Sequence, residues 1–241
     1  MPENYREYYG RFAGDLDERA YYGRLYVQRY WQREKISKVV EDAGVGKLLL
    51  DLGSGSGVIS NLLSESNTVI SYDISENCIR NCRKINKNLM GVVGDAINLP
   101  FKEKSFDAVV CVELIEHLTS PQKCVAEIRR TLNDKGNLIL TTPNFRSMWP
   151  MVEFLWDTLG KGRGYRKQHI SKFDKNGLKK ILEDNGMRVK KMSTILLVTP
   201  FTAVLSEKLT KLVHPAEERL LKMTASGMLL TVVAEKEDGK G

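Results

Sequence analysis

The sequence lacks three features that would indicate an exported, membrane-spanning or metal-binding protein. No hydrophobic run in it approaches the roughly 20 residues of a membrane-spanning helix. The opening residues, MPENYREYYGR, contain no apolar signal core. The four cysteines form no CxxC pair, and no histidine lies near Cys78 and Cys82, which would share one helix face. We therefore expect a cytoplasmic protein with reduced, packed thiols and no bound metal.

Positive charge exceeds negative charge only moderately. Lys and Arg number 37 and Asp and Glu number 30, which gives a net charge of +7. This excess favours anionic partners such as phosphates, acidic lipids or nucleic acid, but it indicates no particular fold. The 42% share of hydrophobic residues is typical of a globular chain that buries a sizeable core.

Short apolar runs alternate with segments of helical spacing along most of the 241 residues. The runs are rich in Val, Ile and Leu and span residues 47–52, 68–73, 89–95, 106–112 and 136–142. The helical segments between them span residues 57–66, 75–87 and 121–133. A further helix from Ser171 to Gly186 precedes a strand from Met187 and a last strand at 227–236. This alternation predicts an α/β protein with a parallel sheet.

The stretch KLLLDLGSGSGVIS, residues 47–60, joins an apolar run to a glycine-rich turn and a helix start. Such a turn places a ligand at the carboxyl end of the strand. The dinucleotide pattern GxGxxG has glycine at its first, third and sixth places, which are here Gly53, Gly55 and Val58. Val58 therefore departs from the pattern at its sixth place, and the third glycine of the turn is instead Gly57. A nicotinamide-dinucleotide loop is disfavoured for this reason.

Acidic residues lie at three successive strand ends on the expected ligand side. Asp51 precedes the first glycine by two residues, Asp73 ends the second run, and Asp95 ends the third. A carboxylate at Asp73 can accept both ribose hydroxyls, and Asp95 with the next backbone amide can read an adenine edge. Each acid alone is equally consistent with a helix N-cap or a turn residue. Three such acids on one side favour a nucleoside-like ligand.

These stretches resemble the motifs of the class I S-adenosylmethionine-dependent methyltransferases. The resemblance rests on LLLDLGSGSG, SYDIS, GDAINLPF, FDAVVCVELIEHLTSP and GNLILTTPN. It covers residues 45–145 in order and 165–235 more loosely, and it is strongest to the branch of ubiquinone-pathway, small-molecule and lipid methyltransferases. It implies a Rossmann-like sheet of about seven strands, mostly parallel with the last strand antiparallel, and helices on both faces.

The resemblance also implies one cofactor, S-adenosylmethionine, and the residues that contact it. They are Gly53, Ser54, Gly55 and Gly57 at the methionine moiety, Asp51 at its ammonium group, Asp73 at the ribose, Ile74 against the adenine, Asp95 and Ala96 at the adenine's polar edge, and the backbone of Val112 and Glu113 as the floor. Acids rather than lysines border this loop, which is consistent with a ligand that carries sulfonium and ammonium charges.

Methyl transfer from a sulfonium needs in-line placement of a nucleophile and exclusion of water more than elaborate acid–base chemistry. A base is needed where the nucleophile is a hydroxyl or a protonated amine. The candidate catalytic residues are His117, His169 and Glu113. His117 is equally consistent with a residue that fixes its loop. Glu116 is disfavoured as its partner or as a metal ligand, because adjacent residues of a helix point apart.

We expect a single methyltransferase domain over residues 1–241. Its segments are a helical cover at 1–44, a cofactor-binding core at 45–145, a substrate lid at 146–170, and a C-terminal half at 171–236 with a helical insert at about 196–224. The lid contains four basic residues, Lys161, Arg163, Arg166 and Lys167, which would gather an anionic substrate or simply be solvated. The insert is consistent with plain packing, a dimer contact, a cover for an apolar substrate, or an interfacial anchor on anionic lipid.

The expected function is methylation of a small-molecule or lipid-like acceptor at oxygen or nitrogen, with peripheral contact to an anionic membrane as one option. A nucleic-acid acceptor is disfavoured, because CVELIEH stands where exocyclic-amine enzymes carry an Asn/Asp-Pro-Pro-aromatic stretch. RNA methylation, protein methylation and non-catalytic binding of S-adenosylmethionine stay open as alternatives. The sequence indicates no oligomeric state.

Overall fold

Seven strands in one sheet form the centre of the protein. A computed structural model describes residues 21–159, 165–224 and 226–237, so Lys161, Arg163 and the first 20 residues of the expected cover lie outside the described part. The strands are β1 (Leu48–Leu52), β2 (Thr68–Asp73), β3 (Met90–Val93), β4 (Phe106–Val112), β5 (Leu132–Pro143), β6 (Met187–Ile195) and β7 (Leu229–Lys236).

A helix precedes β1, and further helices lie in connections between strands. They are α1 (Tyr26–Ala43), α2 (Val58–Ser64), α3 (Glu76–Ile85), α4 (Pro121–Thr131), α5 (Trp149–Leu159), α6 (Tyr165–Gln168), α7 (Lys175–Asp184), α8 (Thr199–Leu205) and α9 (Glu207–Met223), with a 3₁₀ turn at Ile115–His117. Residues 196–224, expected as a helical insert, contain α8 and α9. None of the helices in the described part is both long enough and apolar enough to cross a bilayer.

The sheet has the order β3-β2-β1-β4-β5-β7-β6. The pairs β1–β2, β1–β4, β2–β3 and β4–β5 are parallel. Strand β7 is antiparallel to both of its neighbours, β5 and β6. This confirms the expected sheet, mostly parallel with the last strand reversed. The strand order reverses between β1 and β4, and in such sheets ligands bind beyond the carboxyl ends of the strands at the reversal. The topology therefore places a crevice at the glycine-rich turn after β1.

The core lies on both faces of the sheet, because successive side chains of a strand point to opposite sides. Leu49 packs with Val39 of α1 and Leu63 of α2 on one face. The next residue, Leu50, belongs to the core cluster on the other face, which also contains Ile128 of α4 and Leu182 of α7. Burying each such leucine contributes roughly 1.5–3 kcal/mol. Continuous apolar runs, and not alternating ones, are the sequence pattern that this two-sided burial requires.

The four cysteines are buried and free, as the sequence analysis expects. Burial raises the pKa of Cys82 to about 11 and that of Cys124 to about 12, and it raises those of Cys78 and Cys111 as well. These thiols therefore stay protonated and act as small apolar side chains.

Candidate active site

The glycine-rich turn after β1 is held against the end of β2. The backbone amides of Gly53 and Ser54 both donate to the carbonyl of Tyr72, at 2.8 and 3.0 Å. Gly57 has a φ of +88°, and a Cβ there would lie 2.8 Å from the backbone Cα of Cys82 in α3. A side chain at Gly57 is thus excluded by both conformation and space. Gly53 and Gly55 of the turn are half-buried, whereas Ser54, Ser56 and Gly57 are buried.

Asp73 lies beside this turn at the end of β2. Its two carboxylate oxygens accept hydrogen bonds from the amides of Gly55, at 3.0 Å, and Ser75, at 2.8 Å. The structure therefore brings the predicted ribose acceptor to the loop that the sequence assigns to the same ligand.

Asp95 and Ala96 follow β3 on the same edge. The Asp95 carboxylate accepts a hydrogen bond from the amide of Ile97 at 3.1 Å. The backbone carbonyl of Asp95 accepts one from the Tyr72 hydroxyl at 3.1 Å. Asp95 therefore also has the turn-forming role that was the alternative interpretation. Ala96 is buried. Tyr72 ties the glycine turn and the Asp95 turn together, since its carbonyl holds the first and its hydroxyl the second.

Asp51 differs from the other acids because it is buried inside the sheet. Its carboxylate accepts from the Ser60 hydroxyl of α2 at 2.5 Å, and Ser60 in turn accepts from Ser71 of β2 at 2.8 Å. This chain of hydrogen bonds fixes the start of α2 against β1 and β2. The expected contact between Asp51 and a ligand ammonium group stays a prediction.

The residues present fit S-adenosylmethionine. The turn offers three glycines with positive φ at 53, 55 and 57, an acidic acceptor at Asp73, and a polar edge at Asp95. Ser56, within the turn, has a buried hydroxyl with no hydrogen-bond partner among the described residues. Buried polar atoms are nearly always satisfied in native proteins, so this hydroxyl indicates a ligand or an ordered water. Ile74, half-buried, comes directly after Asp73, where an adenine face would lie.

Strand β4 ends at Val112, where the sequence predicts the floor of the ligand site. The Glu113 amide donates to the Thr141 carbonyl at 3.0 Å, so this residue continues the pairing with β5. Its φ of +48° is unfavourable for a residue with a Cβ. Such strain often marks functional positions. The Glu113 carboxylate pairs with the buried ammonium of Lys35 from α1, at 2.5 Å.

Glu116 lies in the 3₁₀ turn after β4 and is fully buried. One carboxyl oxygen accepts from the Thr142 hydroxyl at 2.9 Å, while the other, Oε1, has no partner among the described residues. Burial, and secondarily the charge of Glu113, raise the pKa of Glu116 to about 8. The group is therefore mainly protonated at neutral pH.

Two histidines lie next to this acid, with ring centroids 5.1 Å apart. The Nδ1 atom of His117 contacts the Gln168 carbonyl at 3.1 Å, so this nitrogen carries the proton. Burial lowers the pKa of His117. Burial, and then the neighbouring His117, lower the pKa of His169 to about 4. Both rings are therefore neutral at pH 7.

The tautomer of His169 is fixed in the same way as that of His117. Its Nδ1 atom lies 2.5 Å from a carboxylate oxygen of Glu153 in α5, which accepts a hydrogen bond when Glu153 is ionised. In each ring the lone pair is consequently on Nε2. Two neutral imidazoles with oriented Nε2 atoms can accept protons or bind a cation.

Glu116, His117 and His169 each offer one ligand atom, and these three atoms lie within 4.8 Å of one another. Carboxylate and imidazole ligands together suit Zn²⁺, Mn²⁺ or Fe²⁺. The sequence disfavours Glu116 as a metal ligand, because adjacent residues of a helix point apart. Glu116 and His117 instead occupy a short 3₁₀ turn, and His169 joins them from a distant segment.

Among the candidate catalytic residues, the structure brings His117 and His169 together. Glu113 is close enough for its charge to act on both rings. Three contributors escaped the sequence analysis: Lys35, Glu153 and Thr142. In sequence they are an ordinary basic, acidic and polar residue, and only their long-range partners distinguish them.

Comparisons with known proteins agree with this geometry. Residues 50–140 match the methyltransferase-domain family. An uncharacterised protein of Methanocaldococcus jannaschii is 28% identical over 189 residues, which cover 77% of this chain and 68% of that protein. The ubiquinone/menaquinone biosynthesis C-methyltransferase UbiE of Blochmanniella pennsylvanica is 28% identical over 133 residues, covering 50% of this chain and 52% of that protein.

A solved S-adenosylmethionine-dependent methyltransferase of Thermotoga maritima superposes with a TM-score of 0.71 at 19% identity, covering 96% of this chain and 99% of that chain. The chain therefore has the class I methyltransferase fold. Residues 50–140 match the methyltransferase-domain family, and relatives named as demethylmenaquinone and ubiquinone/menaquinone methyltransferases match 46% and 50% of the chain. The matches span 41% and 43% of the first two curated relatives, so the chain covers less than half of their length.

Proposed function

We propose that this protein transfers the methyl group of S-adenosylmethionine to an oxygen or nitrogen atom of a small-molecule or lipid-like acceptor in the cytoplasm. One observation carries the proposal. The turn after β1, which suits the cofactor, and the cluster after β4, which suits an acceptor, follow strands that are paired side by side. The two sites therefore adjoin at the carboxyl edge of the sheet.

The chain's contribution on the cofactor side is binding and orientation. S-adenosylmethionine, when bound, supplies an electrophilic methyl group on a sulfonium. Asp73 would hold the ribose, the backbone of Asp95 and Ala96 would face the adenine, and the turn at Gly53–Gly57 would hold the methionine moiety. Leu114 packs within 3.1 Å of the place where a Gly53 side chain would begin, which keeps that end of the site narrow.

On the acceptor side, the chain's contribution is removal of a proton. The Nε2 atom of His169 or His117 would take the proton from an acceptor hydroxyl or ammonium as the oxygen or nitrogen attacks the methyl carbon. The carboxylate of Glu153 would stabilise the resulting imidazolium at Nδ1 of His169. An oriented carboxylate behind a histidine performs this role in other enzymes.

Exclusion of water is the third contribution. Trp149 of α5 lies over the site, with its ring centroid 6.1 Å from that of His169 and 5.6 Å from that of Trp31 in α1. The indole nitrogen of Trp149 is buried without a partner among the described residues. A polar group on the acceptor would satisfy it. This supports an acceptor that is mainly apolar with a few polar atoms.

A second candidate is cation-assisted methylation of a hydroxyl group, which the cluster of Glu116, His117 and His169 favours. A divalent cation there would lower the pKa of the acceptor hydroxyl. Because Glu116 is protonated at neutral pH, cation binding would release its proton. Both rings would then be ligands and could not act as the base, so the acceptor hydroxyl, with its pKa lowered by the cation, would lose its proton to water.

The proposal is tested by following a radiolabelled methyl group from S-adenosylmethionine into fractions of a cell extract. We expect the label in the organic-solvent or small-molecule fraction, loss of the label with His169→Gln, and retention of calorimetric S-adenosylmethionine binding in that variant. Addition of a chelator separates the two candidates, since it stops only the cation-assisted reaction.

Label in RNA or in protein would support those alternatives instead. Absence of S-adenosylmethionine binding would contradict the proposal altogether. Binding without transfer to any fraction would favour a non-catalytic role. Mass spectrometry of the product identifies the methylated atom, and a carbon-bound methyl group would contradict the choice of oxygen or nitrogen.

A further inference from the structure

Helices α8 and α9 carry large apolar side chains on the outside of the protein. Leu205 is 77% exposed, Leu212 78% and Met223 86%. Along α9 the exposed apolar residues are Leu209, Leu212, Ala216, Leu220 and Met223. Their spacing of three or four residues places them on one side of the helix. This stripe is separate from the buried face of the same helix, which contains Thr210 and Glu217.

Helix α5 and the residue before it add a second group of exposed apolar side chains, namely Met148, Met151, Phe154, Leu155 and Trp156. Both groups flank α1. Tyr30 of α1 contacts His214 of α9, with 2.7 Å between the hydroxyl and Nδ1, and the next residue, Trp31, contacts Trp149 of α5. We call these two groups together the apolar face.

Charge around the apolar face has predominantly one sign. In the described parts of residues 146–172 and 198–224, eight basic side chains are exposed: Arg146, Arg166, Lys167, Lys172, Lys208, Lys211, Arg219 and Lys222. The exposed acids in these ranges are Glu207 and Glu218. Exposed leucine, phenylalanine and tryptophan bordered by Lys and Arg are the pattern of surfaces that lie in the interface of an anionic membrane.

Buried hydrogen bonds join α8 to α9. The buried carboxylate of Glu217 accepts from the amides of Val198 and Thr199, at 2.5 and 2.6 Å, and from the Thr199 hydroxyl at 2.6 Å. Glu217 thus caps the start of α8 from α9. The stripe is presented outward by this arrangement.

From this arrangement we propose that the apolar face docks this protein on an anionic lipid surface. The proposal rests on the proposed function, because a lipid-like acceptor would be taken from that surface beside the helix that covers the active site. A second copy of the chain fits the face less well, since a self-complementary contact would bring two groups of eight basic side chains together.

The experiment is co-sedimentation of the full chain with vesicles of phosphatidylcholine alone or with about 30% phosphatidylglycerol, an anionic content that attracts basic segments. We expect sedimentation with the anionic vesicles and weakening by salt. The double variant Leu205→Glu/Leu212→Glu should bind about tenfold or more weakly, because it places charge in the interface. The matched control is Val45→Glu, which changes a residue 74% exposed in the loop before β1, at the opposite edge of the sheet.

Three results would overturn the proposal. They are no sedimentation of the parent protein with anionic vesicles, equal losses in the double variant and the control, or a dimer in solution that the double variant dissociates. S-adenosylmethionine titration of the same proteins distinguishes failure of the proposed function from failure of docking. We expect the double variant to keep its S-adenosylmethionine affinity within about twofold, since distant sites act independently.

Discussion

Lys35 of α1 and Glu113 at the end of β4 form an ion pair in which Nζ lies 2.5 Å from Oε2. The Lys35 side chain is almost fully buried, and that of Glu113 is about three-quarters buried. The pair joins the helix that covers the sheet to the strand end that forms the floor of the crevice. Beside the larger effect of burial, the charge of Glu113 helps to raise the pKa of Glu116 and partly opposes the lowering of the pKa of His117, so Lys35 of α1 influences the charge balance of the cluster through Glu113.

Replacement of Lys35 by methionine should therefore lower both stability and methyl transfer. Methionine keeps an apolar stem of similar length, but it leaves the Glu113 carboxylate without its partner. We expect a loss of about 1–3 kcal/mol in the free energy of unfolding, measured in urea, because an uncompensated, partly buried charge is left behind.

The matched control for this change is Lys38→Met on the same helix. Lys38 pairs with the exposed Glu41, and a surface pair of this kind contributes at most about 1 kcal/mol. Equal losses in the two variants would contradict a special role for Lys35. Recovery of turnover in Lys35→Arg would show that the positive charge is what matters.

Asp73→Asn should weaken S-adenosylmethionine binding by about 1–3 kcal/mol, the usual cost of losing a charged hydrogen-bond partner. Calorimetric titration measures the change. Asp134→Asn, in an exposed ion pair with Lys104, is the control and should bind normally. Unchanged affinity in Asp73→Asn would remove the ribose assignment. Urea unfolding is needed beside the titration, because Asp73 also holds the amides of Gly55 and Ser75.

Much of the fold follows from the sequence because its strands are continuous apolar runs. The bounds of β2 and β4 agree with the predicted runs at 68–73 and 106–112. The start of α7 was predicted at Ser171, but the helix begins at Lys175 with Asp174 as its N-cap. Ser171 is a good capping residue in isolation, but its amide and hydroxyl instead donate to the carbonyls of Glu116 and Leu118. Tertiary contacts decide between two local signals of similar strength.

The active-site cluster was only partly predictable, for a related reason. His117 and His169 could be singled out because the chain has three histidines. Glu153 and Lys35 could not, because they are two of many charged residues and their partners lie 16 and 78 positions away. The glycines of the turn were predictable because their positive φ angles, which are a local property of the backbone, favour that residue type.

Because of Glu116, the free energy of unfolding should fall as the pH rises from the ordinary pKa of a glutamate in the unfolded chain towards 8. The folded state holds its proton up to a pKa of about 8, whereas the unfolded chain releases it at a much lower pH. The unfolded state then binds fewer protons, so folding is favoured below that range and disfavoured above it.

Glu116→Gln keeps an acceptor for Thr142 and does not titrate. Urea unfolding in a chelator, at about pH 6 and about pH 8.5, should show a smaller decrease for the variant than for the parent. Parallel decreases would mean that Glu116 is ionised in the folded protein.

His169 should be distinguishable from His117 by its dependence on Glu153. As a base it must be neutral, and its pKa is lowered to about 4, so turnover should persist well below pH 6.5 and fail only as pH approaches 4. His169→Gln should lower kcat by about 10²–10⁴-fold with little change in the KM for S-adenosylmethionine. Glu153→Gln should give a smaller loss, because the ring keeps a neighbour that accepts from Nδ1 but loses the charge that stabilises the imidazolium.

The control is His214→Gln, whose ring contacts Tyr30 on the far side of α1 and should leave turnover unchanged. Loss of turnover in His117→Gln but not in His169→Gln would identify His117 as the base, since both rings have an oriented Nε2. Loss of activity already near pH 6.5 would mean that His169, whose pKa is lowered to about 4, is not the base. If cation-assisted chemistry operates instead, His117→Gln and His169→Gln should each lose both activity and cation binding. Each ring is then an equivalent ligand of the cation, and neither is the base.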